Sequence, residues 1–312
     1  MGNPLISPKI CWIATRCSFN DCQAEQISRE GIQTVFPKHN PSCFLSKIIR
    51  RLSVLTNIRV SYWSVDSHFD ISSFDIIIVK KHPLLLKYIN GNLGIIKNSA
   101  KIIVWDENAC KGDTYDFCGG SDKRMLFFSF DKRDSTRFHL HYINSFSSVR
   151  LPALVDTSLI VENCDVIFVG STDEYRNNKI DQCFSAIKKL GFSCKKVIIP
   201  NRMSIPYQKY LAYFLSGKVI LDITREYQFS PTLRPLEGMF LGRKVLTDCV
   251  ETINQPYFRE SNIFLVQSLM KDPKSFIAFI NKPLVAIPQS DWCDFDTKGW
   301  VAKLIREITI NE

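Results

Sequence analysis

Residues 227–248, YQFSPTLRPLEGMFLGRKVLTD, read as loop, helix and strand in succession. Thr232 is of the N-cap type, and Pro235 falls in the first helical turn, where its missing N–H removes no helical bond. Leu233, Leu236 and Phe240 recur at i, i+3 and i+7 and turn one stripe towards a core. Gly242 follows the last periodic residue, as a left-handed C′ glycine does, and 243–247 starts a strand. The spacing predicts open N–H groups around Gln228, Ser230, Thr232 and Leu233, with Arg234 beside them. Amides, hydroxyls and a guanidinium together suit a phosphate or diphosphate. Glu237 lies one turn on, on the face of Arg234, where a carboxylate can bond sugar hydroxyls. The plainer alternative is a capped core helix with an Arg234–Glu237 surface pair.

The same alternation runs outward on both sides. Downstream of 160, strands are expected over 165–169, 195–199, 218–222 and 262–266. Helices are expected over 176–190, 206–215 and 268–280, and a closing helix over 291–312 with Trp292 and Trp300 as anchors. Upstream, strands are expected over 9–15, 33–36, 58–63, 74–80, 101–105 and 125–130, with helices near 21–30 and after Pro83. This order implies α/β architecture with doubly wound parallel sheets. At 312 residues the chain is long for one core, so two domains are expected: 1–160, 161–290, and the tail 291–312. Ligands of such sheets sit at the carboxyl ends of strands. Asp106 and Glu107 occupy one such end, and Asp21 lies just past another.

Hydrophobic content of 45% argues against disorder. No apolar run reaches the ~18 residues of a spanning helix, and the first residues lack a signal peptide's charged start; a cytoplasmic chain is expected. The eleven cysteines contain no C-x-x-C pair, so most are expected to be buried, reduced thiols rather than metal ligands or disulfides. Net charge is +9, and residues 1–160 carry 20 Lys+Arg against 14 Asp+Glu. That excess points to an anionic partner for the first half. Within it, 41–56 is an amphipathic basic helix in pattern, with Lys47, Arg50 and Arg51 opposite an apolar side. Such a helix suits an anionic membrane surface.

Three stretches carry a family resemblance: DVIFVGSTDEYR (165–176), KVILDITREYQFSPTLRPLEGMFLGRKVLTD (218–248) followed by NIFLV (262–266), and MLFFSFDKRDSTRF (125–138). Together they resemble the GT-B glycosyltransferases, two Rossmann-like domains facing across a cleft with a C-terminal closing helix. Within that class the chain is similar to bacterial enzymes of lipopolysaccharide core biosynthesis, including the rhamnosyltransferase acting on the Kdo region. The resemblance implies a nucleotide-diphosphate sugar as co-substrate (dTDP-L-rhamnose for the last group), no metal, and a lipid-linked core acceptor. The place of action it implies is the cytoplasmic face of the inner membrane of a Gram-negative bacterium. It also implies roles: Gly170, Ser171 and Thr172 at the donor phosphates, Arg176 and Arg234 neutralising the diphosphate, Ser230 and Thr232 cradling it. Glu237 would bind ribose, with Pro200 and Asn201 bordering the base. Asp21, Asp106 and Glu107 are the candidates for a general base.

Other readings stay open. The same fold could use heptose or a hexose for surface polysaccharide, act as a non-catalytic scaffold, or bind nucleic acid through its basic first half. No G-x-G-x-x-G follows a strand and no P-loop is present. Asp294 and Asp296 match a D-x-D by letter but sit near the tail.

Overall fold

The computed structural model describes residues 8–15, 17–36, 69–117, 122–147, 163–200 and 205–310. They fall into two compact units, one of residues up to Phe130 with Asp134–Tyr142, the other of Asp131–Arg133 with residues from Ile143 on.

The first unit holds β1 (Ile10–Ile13), α1 (Ser18–Arg29), β2 (Gln33–Val35), β3 (Ile76–Lys80), α2 (Pro83–Asn92), β4 (Lys101–Asp106), β5 (Met125–Ser129), α3 (Lys132–Phe138) and β6 (His141–Tyr142). Its six-stranded sheet has the order β2-β1-β3-β4-β5-β6, parallel throughout. Parallel strands are covered on both faces, which is why β3 (IIIVK) is buried at all five positions.

The second unit holds β7 (Cys164–Gly170), α4 (Glu174–Lys189), β8 (Cys194–Ile198), α5 (Tyr207–Leu215), β9 (Gly217–Asp222), α6 (Arg234–Phe240), β10 (Lys244–Thr247), β11 (Ile263–Leu265), α7 (Val266–Lys271), α8 (Ser275–Asn281), α9 (Gln289–Trp292) and α10 (Thr297–Ile310). Its sheet runs β11-β10-β9-β7-β8, again all parallel. Each sheet therefore reverses direction once, between β1 and β3 in the first and between β7 and β9 in the second. Such a switch point opens a crevice at the strands' carboxyl ends.

Several expectations change in detail. The helix expected over 268–280 is two, because Pro273 cannot extend the first. The tail is not one helix: α9 and a 3-10 turn precede α10, and the Asp296 carboxylate accepts from the Gly299 N–H at 2.7 Å at its start. Trp300 is buried against Phe146 and donates its indole N–H to the Asn144 carbonyl at 2.7 Å, whereas Trp292 packs edge-on to Phe240. Of the nine described cysteines all are free, yet only Cys11, Cys183 and Cys249 are buried. The strand expected over 58–63 and the basic helix over 41–56 lie outside the described residues.

Candidate functional site

The second unit's switch point is floored by Phe168. On one side β7 ends at Val169 and Gly170; on the other β9 ends at Asp222. Arg234, the first residue of α6, bridges the two. Its Nη1 donates to Asp222 Oδ1 at 3.2 Å, and its Nη2 to the Val169 carbonyl at 3.1 Å. Asp222 is wholly buried and also accepts the hydroxyls of Thr232 (2.8 Å) and Thr247 (2.9 Å). Burial pushes the Asp222 carboxyl above its ordinary range, against the pull of the Arg234 charge.

Gly170 makes room for this bridge. Its φ is +152°, and a Cβ there would lie 2.5 Å from Arg234 Nη2. No other residue admits the guanidinium so close.

Arg176 enters from α4. Its N–H bonds the Asp173 carboxylate that caps the helix (2.9 Å), and its Nη1 donates to the Ser171 carbonyl at 2.8 Å. Among the described residues no carboxylate is in hydrogen-bond contact with the side chain, although the residue is only 6% exposed. Burial, and next the Arg234 charge, push its pKa down to about 10. Both guanidinium carbons lie over the Phe168 ring, at 5.6 Å for Arg176 and 5.4 Å for Arg234. The Nε of each is buried without a hydrogen-bond partner among the described residues. Two buried cations share one hydrogen-bonded carboxylate, Asp222, with Asp173 and Glu237 acting on them only at longer range. A multiply charged anion is the natural complement.

The loop beside them differs from the expectation. The Phe229 and Ser230 N–H groups are not open: both donate to Asp131 Oδ2, at 2.7 and 2.9 Å. The Ser230 hydroxyl accepts the Lys132 N–H at 3.0 Å, and the Gln228 amide donates to the Ser230 carbonyl at 2.8 Å. Thr232 is not the N-cap, since Leu233 holds that position without a side-chain cap bond, and α6 is seven residues long. The Thr232 hydroxyl instead accepts the Arg234 N–H at 3.1 Å while bonding Asp222. An internal carboxylate, Asp131, thus fills the place expected for a phosphate.

Glu237 is not a surface partner of Arg234. It is 2% exposed, with Oε1 accepting the Tyr207 hydroxyl at 2.6 Å and Oε2 that of Tyr210 at 3.4 Å. Burial pushes its pKa up to about 7, opposed by the Tyr207 bond and the Arg234 charge. Ser171 and Thr172 are half-buried in the loop between β7 and α4. The Ile199 N–H donates to the Gly170 carbonyl at 3.0 Å, which brings the exposed Pro200 near that loop; Asn201 lies outside the described residues. Asp222, Asp131, Tyr207 and Tyr210 were not singled out by sequence. Only Asp222 carried a signal, an acid closing the apolar run KVILD.

In the first unit the three acids separate. Asp21 is exposed in the first turn of α1. Asp106 is 7% exposed: Oδ2 takes Lys81 Nζ (2.8 Å) and the Tyr115 hydroxyl (3.2 Å), and Oδ1 the Asn108 N–H (3.1 Å). Glu107 is one-third exposed and pairs with Lys80 at 2.6 Å. Lys47, Arg50 and Arg51 lie outside the described residues. Among the described residues no group of three or more His, Cys, Asp or Glu is placed to hold a metal ion, and no helix is long and apolar enough to cross a membrane.

Two parallel α/β units, each reversing strand order once, define the GT-B class of fold. One solved structure supports the fold, and two others match more loosely. A DNA-modifying beta-glucosyltransferase, solved with and without uridine diphosphoglucose, matches 88% of this chain and 88% of its own at 12% identity, with a TM-score of 0.51. UDP-GlcNAc 2-epimerase from Neisseria meningitidis matches 97% of this chain and 100% of its own at 12% identity and a TM-score of 0.43. An alpha1,3-fucosyltransferase matches 96% and 90% at 10% identity and a TM-score of 0.41. No protein-family model matches the chain, and no curated protein matches it in sequence.

Proposed function

We propose that this chain is a glycosyltransferase that moves a sugar from a nucleotide-diphosphate donor to a glycan acceptor. The observation that carries this reading is the pair of buried guanidiniums, Arg176 and Arg234, over Phe168 at the second unit's switch point. A departing diphosphate gains negative charge as the glycosidic bond breaks, and fixed cations in a low-dielectric site favour that state. Asp222 and the Val169 carbonyl aim Arg234; Gly170 admits it. The arginines supply the charge that a metal ion would otherwise bring, so a metal-independent transfer is proposed. Donor ribose would reach Glu237 by replacing a tyrosine hydroxyl.

The finer reading is dTDP-L-rhamnose as donor and the Kdo region of a lipid-linked lipopolysaccharide core as acceptor, at the cytoplasmic face of an inner membrane. It is supported by the resemblance of 125–138 to the acceptor domain of bacterial polysaccharide and lipopolysaccharide enzymes, by overall likeness to that group, and by the basic first half. The experiment is thermal unfolding with dTDP, UDP, GDP and ADP, on wild type and on Arg176→Met. A ligand at about 100 times its Kd adds about 2.7 kcal/mol. One nucleotide stabilising wild type and not the variant is expected, and dTDP would favour rhamnose. Equal shifts in both chains, or none in either, would remove the reading.

A further inference from the structure

Among the described residues, the hydrogen bonds on the Glu237 carboxylate come from one helix, α5. Oε1 accepts the Tyr207 hydroxyl at 2.6 Å and Oε2 that of Tyr210 at 3.4 Å. The two rings stand one turn apart and stack, with centres 5.8 Å apart and planes inclined by 19°. The two contacts differ in kind. A hydroxyl donating to a carboxylate bonds best at about 2.5–2.7 Å, so the Tyr207 bond is near its optimum and the Tyr210 contact lies well beyond it. Tyr207 is also the more deeply set, at 6% exposed, whereas Tyr210 is half-buried and leans on Phe214 at 4.6 Å.

Glu237 is itself 2% exposed, and a carboxylate buried so deeply needs a donor on each oxygen to stay ionised. Oε1 is supplied in full and Oε2 is not. Arg234 lies three residues earlier on α6, on the same face as Glu237. The charges of Arg234 and Asp222 also act on the Tyr210 hydroxyl, which places it near that pair. Burial holds this hydroxyl well above the ordinary tyrosine range, so it stays protonated and can only be displaced, not titrated, near neutral pH. A ligand hydroxyl that reaches Oε2 gains a full charge-assisted bond and costs the protein only a long one.

We propose that Tyr207 is the positioning residue of Glu237, fixing Oε1 so that Oε2 is offered to the donor's ribose, and that a ribose hydroxyl there takes the place of the Tyr210 hydroxyl. The inference rests on the glycosyl-transfer reading above, in which ribose meets Glu237, and adds which oxygen is offered and which tyrosine yields. No covalent step is involved, since one hydroxyl replaces another on the same oxygen. Two neighbours on one helix thus have opposite parts. Tyr207 sharpens recognition of the nucleotide's sugar; Tyr210 keeps the place until the nucleotide arrives and resumes it when the nucleotide leaves.

The test uses the full chain at about pH 8.5, above the Glu237 value of about 7, so that wild type carries the carboxylate. Calorimetry gives the Kd of whichever of dTDP, UDP, GDP and ADP stabilises wild type, and of the same nucleotide in its 2′,3′-dideoxy form. The pair shares base and diphosphate and differs only in ribose hydroxyls. Wild type should prefer the hydroxylated form by about tenfold or more. Tyr207→Phe should cut that preference at least about threefold and leave the Kd of the dideoxy form unchanged, a split that a merely loosened fold does not give. Tyr210→Phe should keep the preference or enlarge it, and decides alone if Tyr207→Phe does not fold. Equal wild-type affinity for the two forms would overturn this inference and leave the diphosphate site standing. So would an undiminished preference in Tyr207→Phe, or a lost one in Tyr210→Phe. No nucleotide shift in wild type would instead remove the parent reading, and this inference with it.

Discussion

Arg176 works against the fold that holds it. It is buried, its Nε has no partner among the described residues, and Arg234 repels it. Replacing it with Met keeps an apolar stem over Phe168 and removes the charge. Stability should therefore rise, by about 1 kcal/mol, which for units of this size is roughly 2–4 °C in Tm. The nucleotide shift should vanish in the same variant. A lower Tm would mean the guanidinium is part of the structural framework rather than held for a ligand. Arg234 is the opposite case: Arg234→Ala strands Asp222 in the interior, and loss of one partner of a buried pair costs about 3–5 kcal/mol. Glu237 adds a pH dependence. Its folded pKa of about 7 lies above the ordinary 4.5, so the folded chain holds a proton that the unfolded chain releases. That contribution is complete below about pH 4.5 and is lost as pH rises through about 7, on the order of 3 kcal/mol. Burial sets the value, against the pull of Tyr207, Arg234 and Tyr210 and with a smaller push from Asp222. Glu237→Gln should flatten the fall in denaturant-measured stability between pH 5 and 8. Slopes equal to wild type would disprove the assignment. Arg234 was singled out by type and spacing, and Arg176 and Gly170 by the family resemblance. Their partners were not, because Asp222, Tyr207 and Tyr210 meet them only through the fold.

Helix α6 shows what periodicity can and cannot say. Its stripe, its proline and the terminal Gly242 (φ +62°) are as the pattern predicts. Gly238 is the position the pattern passes over. A Cβ there would stand 2.5 Å from Val245 Cγ2 and 3.5 Å from Ile220 Cδ1, so the helix lies flush on β9 and β10. Gly238→Ala sets a propensity gain of about 1 kcal/mol against an overpacking loss of about 1–3 kcal/mol. Val245 is core, 1% exposed, and the loss should win. Because α6 presents Arg234, the variant should also weaken nucleotide binding. A more stable protein with unchanged binding would show that α6 can lift from the sheet without consequence. The split of α7 from α8 was written in the sequence, since a residue before proline leaves the helical region. Asp272 does so with φ −141°, and the apolar period on either side of Pro273 masked it. The Asp131 carboxylate under the 229–230 amides was not legible at all, being about a hundred residues away.

Charge is distributed over the chain in a way the anion site does not explain. The Arg176–Arg234 pair lies after residue 160, yet residues 1–160 carry an excess of six positive charges, and the first unit's described crevice is balanced. We propose that the surplus serves an anionic partner elsewhere on the chain. The basic pattern of 41–56, outside the described residues, is the densest candidate, and an anionic bilayer is the partner proposed for it. Each Lys or Arg near such a surface contributes roughly 1 kcal/mol, falling off within a Debye length of about 8 Å at physiological salt. Wild type should float with vesicles containing phosphatidylglycerol and leave neutral phosphatidylcholine vesicles unbound. Binding should fall as salt is raised, because the attraction is screened while any apolar insertion is not. Arg50→Glu with Arg51→Glu replaces two attractions by two repulsions and should reduce binding at least tenfold. Its nucleotide shift should be unchanged, since the proposed donor residues lie in the second unit. Binding of the double variant equal to wild type, or binding indifferent to salt, would place the surplus charge in another role.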